Sequence, residues 1–215
     1  MRRVVRAFDR LLRRLQGVFA FWDDPDCIFR VQLAQAPHSM VIPGVQISPG
    51  DRVLILHFWN EQIPQIPAEG TNLALALRTS RMVTASFRML AREMRHDPRM
   101  DGVRALGGTT VLFAAGDQSV GEKLFTRLGF VAFPYRSRLG RFGEFWQNAY
   151  TWTLMWTYNA ASLRRGRLTD LHRTEVWMSS DDFLGRYGTG EAPAPRQPQG
   201  KDTKRDCSGD SGCHL

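Results

Sequence analysis

The stretch "RVLILHFWNEQIP", residues 52–64, decides how this chain is read. Val53, Ile55, His57 and Trp59 alternate with Leu54, Leu56 and Phe58, so an extended backbone sends the two sets to opposite faces. Both sets are largely apolar. That pattern predicts a central strand covered on both sides. The run then ends on His57, Trp59, Asn60 and Glu61 before Pro64. Open α/β sheets hold their ligands beyond the carboxyl ends of strands. His57 and Asn60 are therefore candidate substrate-binding groups, and Trp59 beside them could stack on a sugar or an acyl chain. The competing reading is a strand that simply stops, with His57 a hydrogen-bonded core group.

Outward from this strand the chain alternates elements. Residues 2–19, "RRVVRAFDRLLRRLQGVF", space Val4, Phe8, Leu11, Leu12, Leu15 and Phe19 at helical intervals, with arginines on the remaining circumference. Two readings stand. The stripe packs on the domain and the arginines face water, or the helix docks on a membrane surface or a partner. "CIFRVQLAQ", residues 27–35, alternates as a half-exposed strand. Pro43-Gly44 and Pro49-Gly50 suit type II turns, because proline presets the first central φ and glycine takes the positive second one.

Residues 71–98 read as a long helix, capped by Thr71 or Asn72 and closed by Asp97-Pro98. Ala76, Val83, Phe87, Leu90 and Met94 form its inward stripe. Arg81, Arg88, Arg92 and Arg95 fall on another face, and Arg81 is a candidate anion contact. Then come a strand at "GGTTVLFAAG", a short helix and strand at 119–135, an aromatic helix at 140–163, a strand at "TEVWMS" and a helix at 179–187. Gly129 fits the left-handed position past a helix, with Phe130 packing back on Phe125. The aromatic helix is too polar to span lipid and reads as buried or as a groove wall. Ser179 and Asp182 have capping-box spacing. Thr109 and Thr110 read as strand formers. Together these predict an α/β fold with α+β character: a mixed sheet covered by helices, in one domain over residues 1–188. Residues 189–215 hold too little apolar area to order themselves and are expected to be a disordered tail.

The 215 residues carry a net charge of +8, and every cation but Lys123, Lys201 and Lys204 is arginine. Such a balance suits an anionic partner such as nucleic acid, acidic lipid head groups or a phosphorylated ligand, or else a solvated surface. No recognised nucleic-acid-binding module accompanies the charge, so nucleic acid is not expected. No apolar run reaches the roughly 18 residues of a membrane span, and no signal peptide is read at the start. Cys27 reads as a small buried hydrophobe. Cys207, Cys213 and His214 lack zinc spacing, and no metal is expected. Nucleotide and catalytic fingerprints such as GxGxxG, GxxxxGK[ST], HExxH, CxxC and GxSxG are missing, so no cofactor is expected. The cytoplasm is the default location.

The combination "GVQISPGD", L-H-x-x-N over Leu56 to Asn60, "LGGTTVLF", "RLGF" and "VWMSSDDFLGRY" resembles a YkoP-like domain. The resemblance runs through most of residues 1–188. It implies a bacterial setting in cell-envelope glycan or glycolipid metabolism, although the polysaccharide deacetylase module that some members carry is not in this chain. It supplies no catalytic residues; Asp51, His57 and Asn60 are its signature polar positions. A second, shorter resemblance covers "TTVLFAAGDQSVGEKLFTRLGFVAF", which is similar to the strand, helix, LGF, strand passage of Gcn5-related N-acyltransferases. Those enzymes hold the coenzyme A pyrophosphate on a glycine-rich helix start, and "EGTNLALALR" lacks that pattern.

Three functional expectations follow. The first is a protein binding or helping to process an anionic glycan or glycolipid precursor through His57, Trp59, Asn60 and Arg81. It would be cytoplasmic, with residues 1–20 touching the inner membrane. The second is an acyl-CoA-dependent N-acyltransferase. The third is a non-enzymatic scaffold docking through its basic N-terminal helix.

Overall fold

The computed structural model describes residues 2–65, 73–113, 124–135, 140–158, 160 and 171–189. The expected disorder beyond 189 and the caps at Thr71 and Asn72 lie outside these residues.

Helix α1 (Arg2–Leu15) precedes strands β1 (Phe29–Gln35), β2 (Met40–Ile42), β3 (Val45–Ile47) and β4 (Arg52–Phe58). Helix α2 (Leu73–His96) leads to β5 (Ala105–Phe113), then a helical turn at 124–127 and β6 (Val131–Pro134). Helix α3 (Gly140–Tyr158), β7 (Leu171–Ser179) and α4 (Ser180–Tyr187) follow. The main sheet has the order β1-β4-β5-β7-β6, and β2 and β3 form a separate hairpin. Only β4 and β5 run parallel among the described pairings, joined through the long α2 crossover. The mixed α/β architecture expected from the sequence is the one observed.

β4 is an interior strand, second in the sheet between β1 and β5, and both its faces are covered. Leu54 and Leu56 face the core built with α2 and α4, where Phe87 stacks on Phe29 at 5.0 Å between ring centroids. Phe183 and Tyr187 meet Phe87 edge-on. Val53 and Ile55 face the other way, onto Ile42 and Ile47 of the β2–β3 hairpin and onto Trp177. One cover is thus a helical layer and the other is partly a hairpin. Gly44 turns that hairpin at φ 80°, as its Pro-Gly pair predicts.

Local signals also close where expected. The Phe130 N–H donates to Phe125 O at 2.9 Å and the Gly129 N–H to Thr126 O at 2.9 Å, with Gly129 at φ 96°. This is the glycine closure with its aromatic contact, Phe125 edge-on to Phe130 at 6.2 Å. The Asp182 N–H donates to Ser179 Oγ, capping α4. Cys27 is fully buried.

Two helices leave part of their apolar residues uncovered. In α2, Phe87, Leu90 and Met94 are buried, but Ala76 is exposed and the first turns carry exposed Leu73 and Leu77. In α1 the apolar stripe does not pack wholly on the domain: Phe8 is 52%, Leu11 53% and Leu15 74% exposed. The helix is instead rotated so that Asp9, at 4%, faces inward. The reason is polar. Asp9 accepts a hydrogen bond from the Tyr150 hydroxyl at 2.8 Å and faces Arg13 Nη2 at 3.2 Å.

Candidate functional site

The parallel ladder between β4 and β5 is short. It joins Val53 to Ala105, Leu54 to Leu106 and Ile55 to Gly107, and both strands continue past it. Where it ends, a cavity of about 430 Å³ opens. Its wall draws on both faces of the sheet. Phe29, Leu56, Phe87, Phe130 and Val176 come from the α2 side and make an aromatic and aliphatic floor. From the other side come Asp9 and Arg13 of α1, Tyr150, Thr151, Leu154, Met155 and Tyr158 of α3, and Arg173 of β7. His57, Asn60, Thr109 and Thr110 stand at the parted strand ends.

His57 and Asn60 therefore share one cavity. His57 Nε2 lies 3.0 Å from Gln32 Oε1, two rungs away across β1. In that pairing Nε2 carries the proton and Nδ1 keeps a lone pair. Burial lowers the imidazole pKa, so the ring is neutral near pH 7. Trp59 and Arg81 do not line the cavity. The Trp59 ring lies under the Arg30 guanidinium at 4.0 Å, and Arg81 is exposed on the outer side of α2. Glu61 faces both Arg13 at 3.1 Å and Arg30 at 3.9 Å. The polar end of β4 thus does two jobs: His57 and Asn60 face the hollow, and Glu61 pins α1 over it.

Asp51, the other signature position, sits at the opposite end of the strand. Its carboxylate accepts from the Ser48 N–H at 2.8 Å and Arg104 Nη1 at 2.9 Å, which fixes the turn into β4. The paired glycines of "LGGTT" are also structural. A side chain at 107 would run into the Trp177 ring, and one at 108 would come within 2.8 Å of Leu56 O.

The remaining polar groups were not singled out from sequence. Arg173 is half-buried and donates to Asn148 Oδ1 at 3.0 Å and Thr151 Oγ1 at 2.8 Å, binding α3 to the sheet. Among the described residues no carboxylate pairs with it within 4 Å, and desolvation lowers its pKa from the ordinary value. Tyr150 is held protonated, first by burial and then by its bond to the Asp9 carboxylate. Two buried atoms of the wall have no hydrogen-bond partner among the described residues, Asp9 Oδ2 and the Tyr158 hydroxyl. Arg13 supplies charge near Asp9 Oδ2 but not hydrogen-bond geometry. One signal for Asp9 was available: it is the sole acid of α1 and is flanked at helical spacing by Val5 and Leu12. Arg173 gave none.

No cluster of metal ligands occurs among the described residues. None of the described helices is long and apolar enough to cross a membrane.

The family model described as the YkoP domain matches residues 1–187. The chain belongs to the YkoP domain family. No curated protein and no solved structure matched it. In this YkoP domain the match spans every described element from α1 to α4, so the cavity is built wholly within it.

Proposed function

We propose that this YkoP domain binds an anionic, lipid-linked glycan precursor in the cavity between β4 and β5, at the cytoplasmic face of the inner membrane. The observation that carries the reading is Arg173. It is a half-buried guanidinium in the cavity wall with no carboxylate partner among the described residues. A guanidinium's planar donors suit phosphate. The floor of Phe29, Leu56 and Phe87 suits the first part of an apolar chain. Asp9 Oδ2 and the Tyr158 hydroxyl, both without a hydrogen-bond partner among the described residues, suit sugar hydroxyls. The volume falls in the range of small-ligand sites, roughly 300–1,000 Å³. His57 and Asn60 would orient the head group; Trp59 and Arg81 stand outside that role.

The test is a titration of the purified chain with a short-chain polyprenyl phosphate. The expected result is saturable binding weakened at least about tenfold by Arg173→Gln, the loss of a charged hydrogen-bonding partner. His57→Ala and Asn60→Ala should weaken it less. Binding that is missing, or untouched by all three changes, removes the proposal.

A second reading, the acyl-CoA-dependent N-acyltransferase, is favoured by the parting of two parallel strands. An extended thioester arm would lie against main chain that the β4–β5 ladder leaves unpaired. Asp9 would accept the amine's proton as its nitrogen attacks the thioester carbonyl. The C–S bond would then break, and the thiolate would take up a proton. Acyl-CoA binding with release of free thiol in the presence of an amine supports it over the first reading.

A further inference from the structure

The outer surfaces of the two helices that wall the cavity are unusually apolar. On α1, Phe8, Leu11 and Leu15 recur at i, i+3 and i+7 and are all more than half exposed. On α3, Phe142, Phe145 and Trp146 are exposed at 68%, 53% and 58%. The helices run antiparallel: Asp9 bonds Tyr150 while Arg6 lies over Tyr158. Leu11 and Leu15 therefore lie toward the Trp146 and Phe142 end of α3, and Phe8 meets Tyr150 edge-on at 6.3 Å, so the two apolar sets lie on neighbouring, packed helices.

Cations border it. Arg3, Arg10 and Arg14 are exposed and share a line along α1 beside the apolar stripe. None has an acidic partner within 4 Å among the described residues. The single acid of α1, Asp9, is turned inward.

We propose that this α1–α3 face docks on the surface of an anionic lipid bilayer, with α1 lying in the plane of the interface. The charge pattern chooses the occupant. An in-plane helix buries an apolar stripe among acyl chains and extends arginines from its edge to the phosphates. Tryptophan beside it favours the same depth. A second copy is a poorer fit, because a two-fold contact would bring two rows of unpaired arginines together. Docking would set the cavity's α1 and α3 wall against the bilayer.

The experiment is co-sedimentation of the full chain with vesicles of phosphatidylcholine, and of phosphatidylcholine with phosphatidylglycerol. Wild type should partition onto the anionic vesicles and little onto the neutral ones. Arg10→Gln with Arg14→Gln should lower partitioning about tenfold or more. Leu15→Ser with Phe142→Ser and Trp146→Ser should do the same. Both variants should keep the wild-type circular dichroism and unfolding midpoint, since the changed side chains are exposed. Arg173→Gln should leave vesicle binding unchanged, which separates this proposal from that for the cavity. Failure to bind anionic vesicles, equal binding to neutral ones, or binding that neither variant set alters would overturn it. A wild-type dimer in light scattering that the apolar variant converts to monomer would overturn it too, by assigning the face to self-association.

Discussion

Glu61 reaches Arg13 at 3.1 Å across 48 positions of sequence, and so fixes α1 over the carboxyl end of β4. Arg13 in turn faces Asp9 at 3.2 Å, and Asp9 accepts the Tyr150 hydroxyl at 2.8 Å. One chain of polar contacts thus ties β4, α1 and α3 around the hollow.

The two partners of Arg13 should differ in weight. Glu61 is about one-third exposed, and exposed ion pairs contribute little. Asp9 is buried, and a buried carboxylate that loses its cation is costly. Glu61→Ala should lower stability by less than about 1 kcal/mol. Arg13→Ala should lower it by about 2–3 kcal/mol. Denaturant midpoints at constant m-value measure both.

Tyr150 should make the protein alkali-sensitive. Its folded pKa is raised by burial and by Asp9, from an ordinary value near 10. Its contribution is therefore fully present below about pH 10 and is lost as pH rises further, because the unfolded chain releases the proton first. Tyr158 and Tyr187 are shifted the same way. The difference between wild type and Tyr150→Phe isolates Tyr150. Stability measured from pH 9 to 12 should fall more steeply in wild type than in the variant.

His57 predicts the opposite limb. Burial lowers its folded pKa, so its contribution is present above about pH 6.5, the ordinary value, and is lost as pH falls below it. His57→Gln should flatten the stability profile between pH 6.5 and 5. An unchanged profile would mean that the ring is not held neutral by its surroundings.

Glycines at 108 and 185 should respond with opposite signs to alanine. At 108 a Cβ would meet Leu56 O at 2.8 Å, and both strands bound the cavity. Gly108→Ala should cost about 1–3 kcal/mol. Gly185 lies within α4 with nothing within 4 Å of an added Cβ. Gly185→Ala should add about 0.5–1 kcal/mol. Thermal midpoints distinguish the two directions.

Much of the architecture was legible because it rests on short-range physics. The two-sided apolar run at 53–58 announced a central strand, Pro43-Gly44 its hairpin, Gly129 and Ser179 their helix ends. The site was legible only at β4, where His57 and Asn60 end a strand. Trp59 and Arg81 looked equivalent in sequence, but Trp59 lies just past the end of β4 with its ring covered by Arg30, and Arg81 lies on the solvent side of α2. Arg173, Tyr150 and Tyr158 reach the cavity through tertiary packing alone. The rotation of α1 was hidden for a similar reason. Helical periodicity identifies the apolar stripe, but Asp9, by pairing with Tyr150, decides which side faces the sheet.

A crystal structure of the chain with a short-chain polyprenyl phosphate tests the central claim most directly. The phosphate should lie within hydrogen-bond reach of the Arg173 guanidinium, with the chain running over Phe29, Leu56 and Phe87. A ligand seated elsewhere, with the hollow between β4 and β5 left empty, would contradict it.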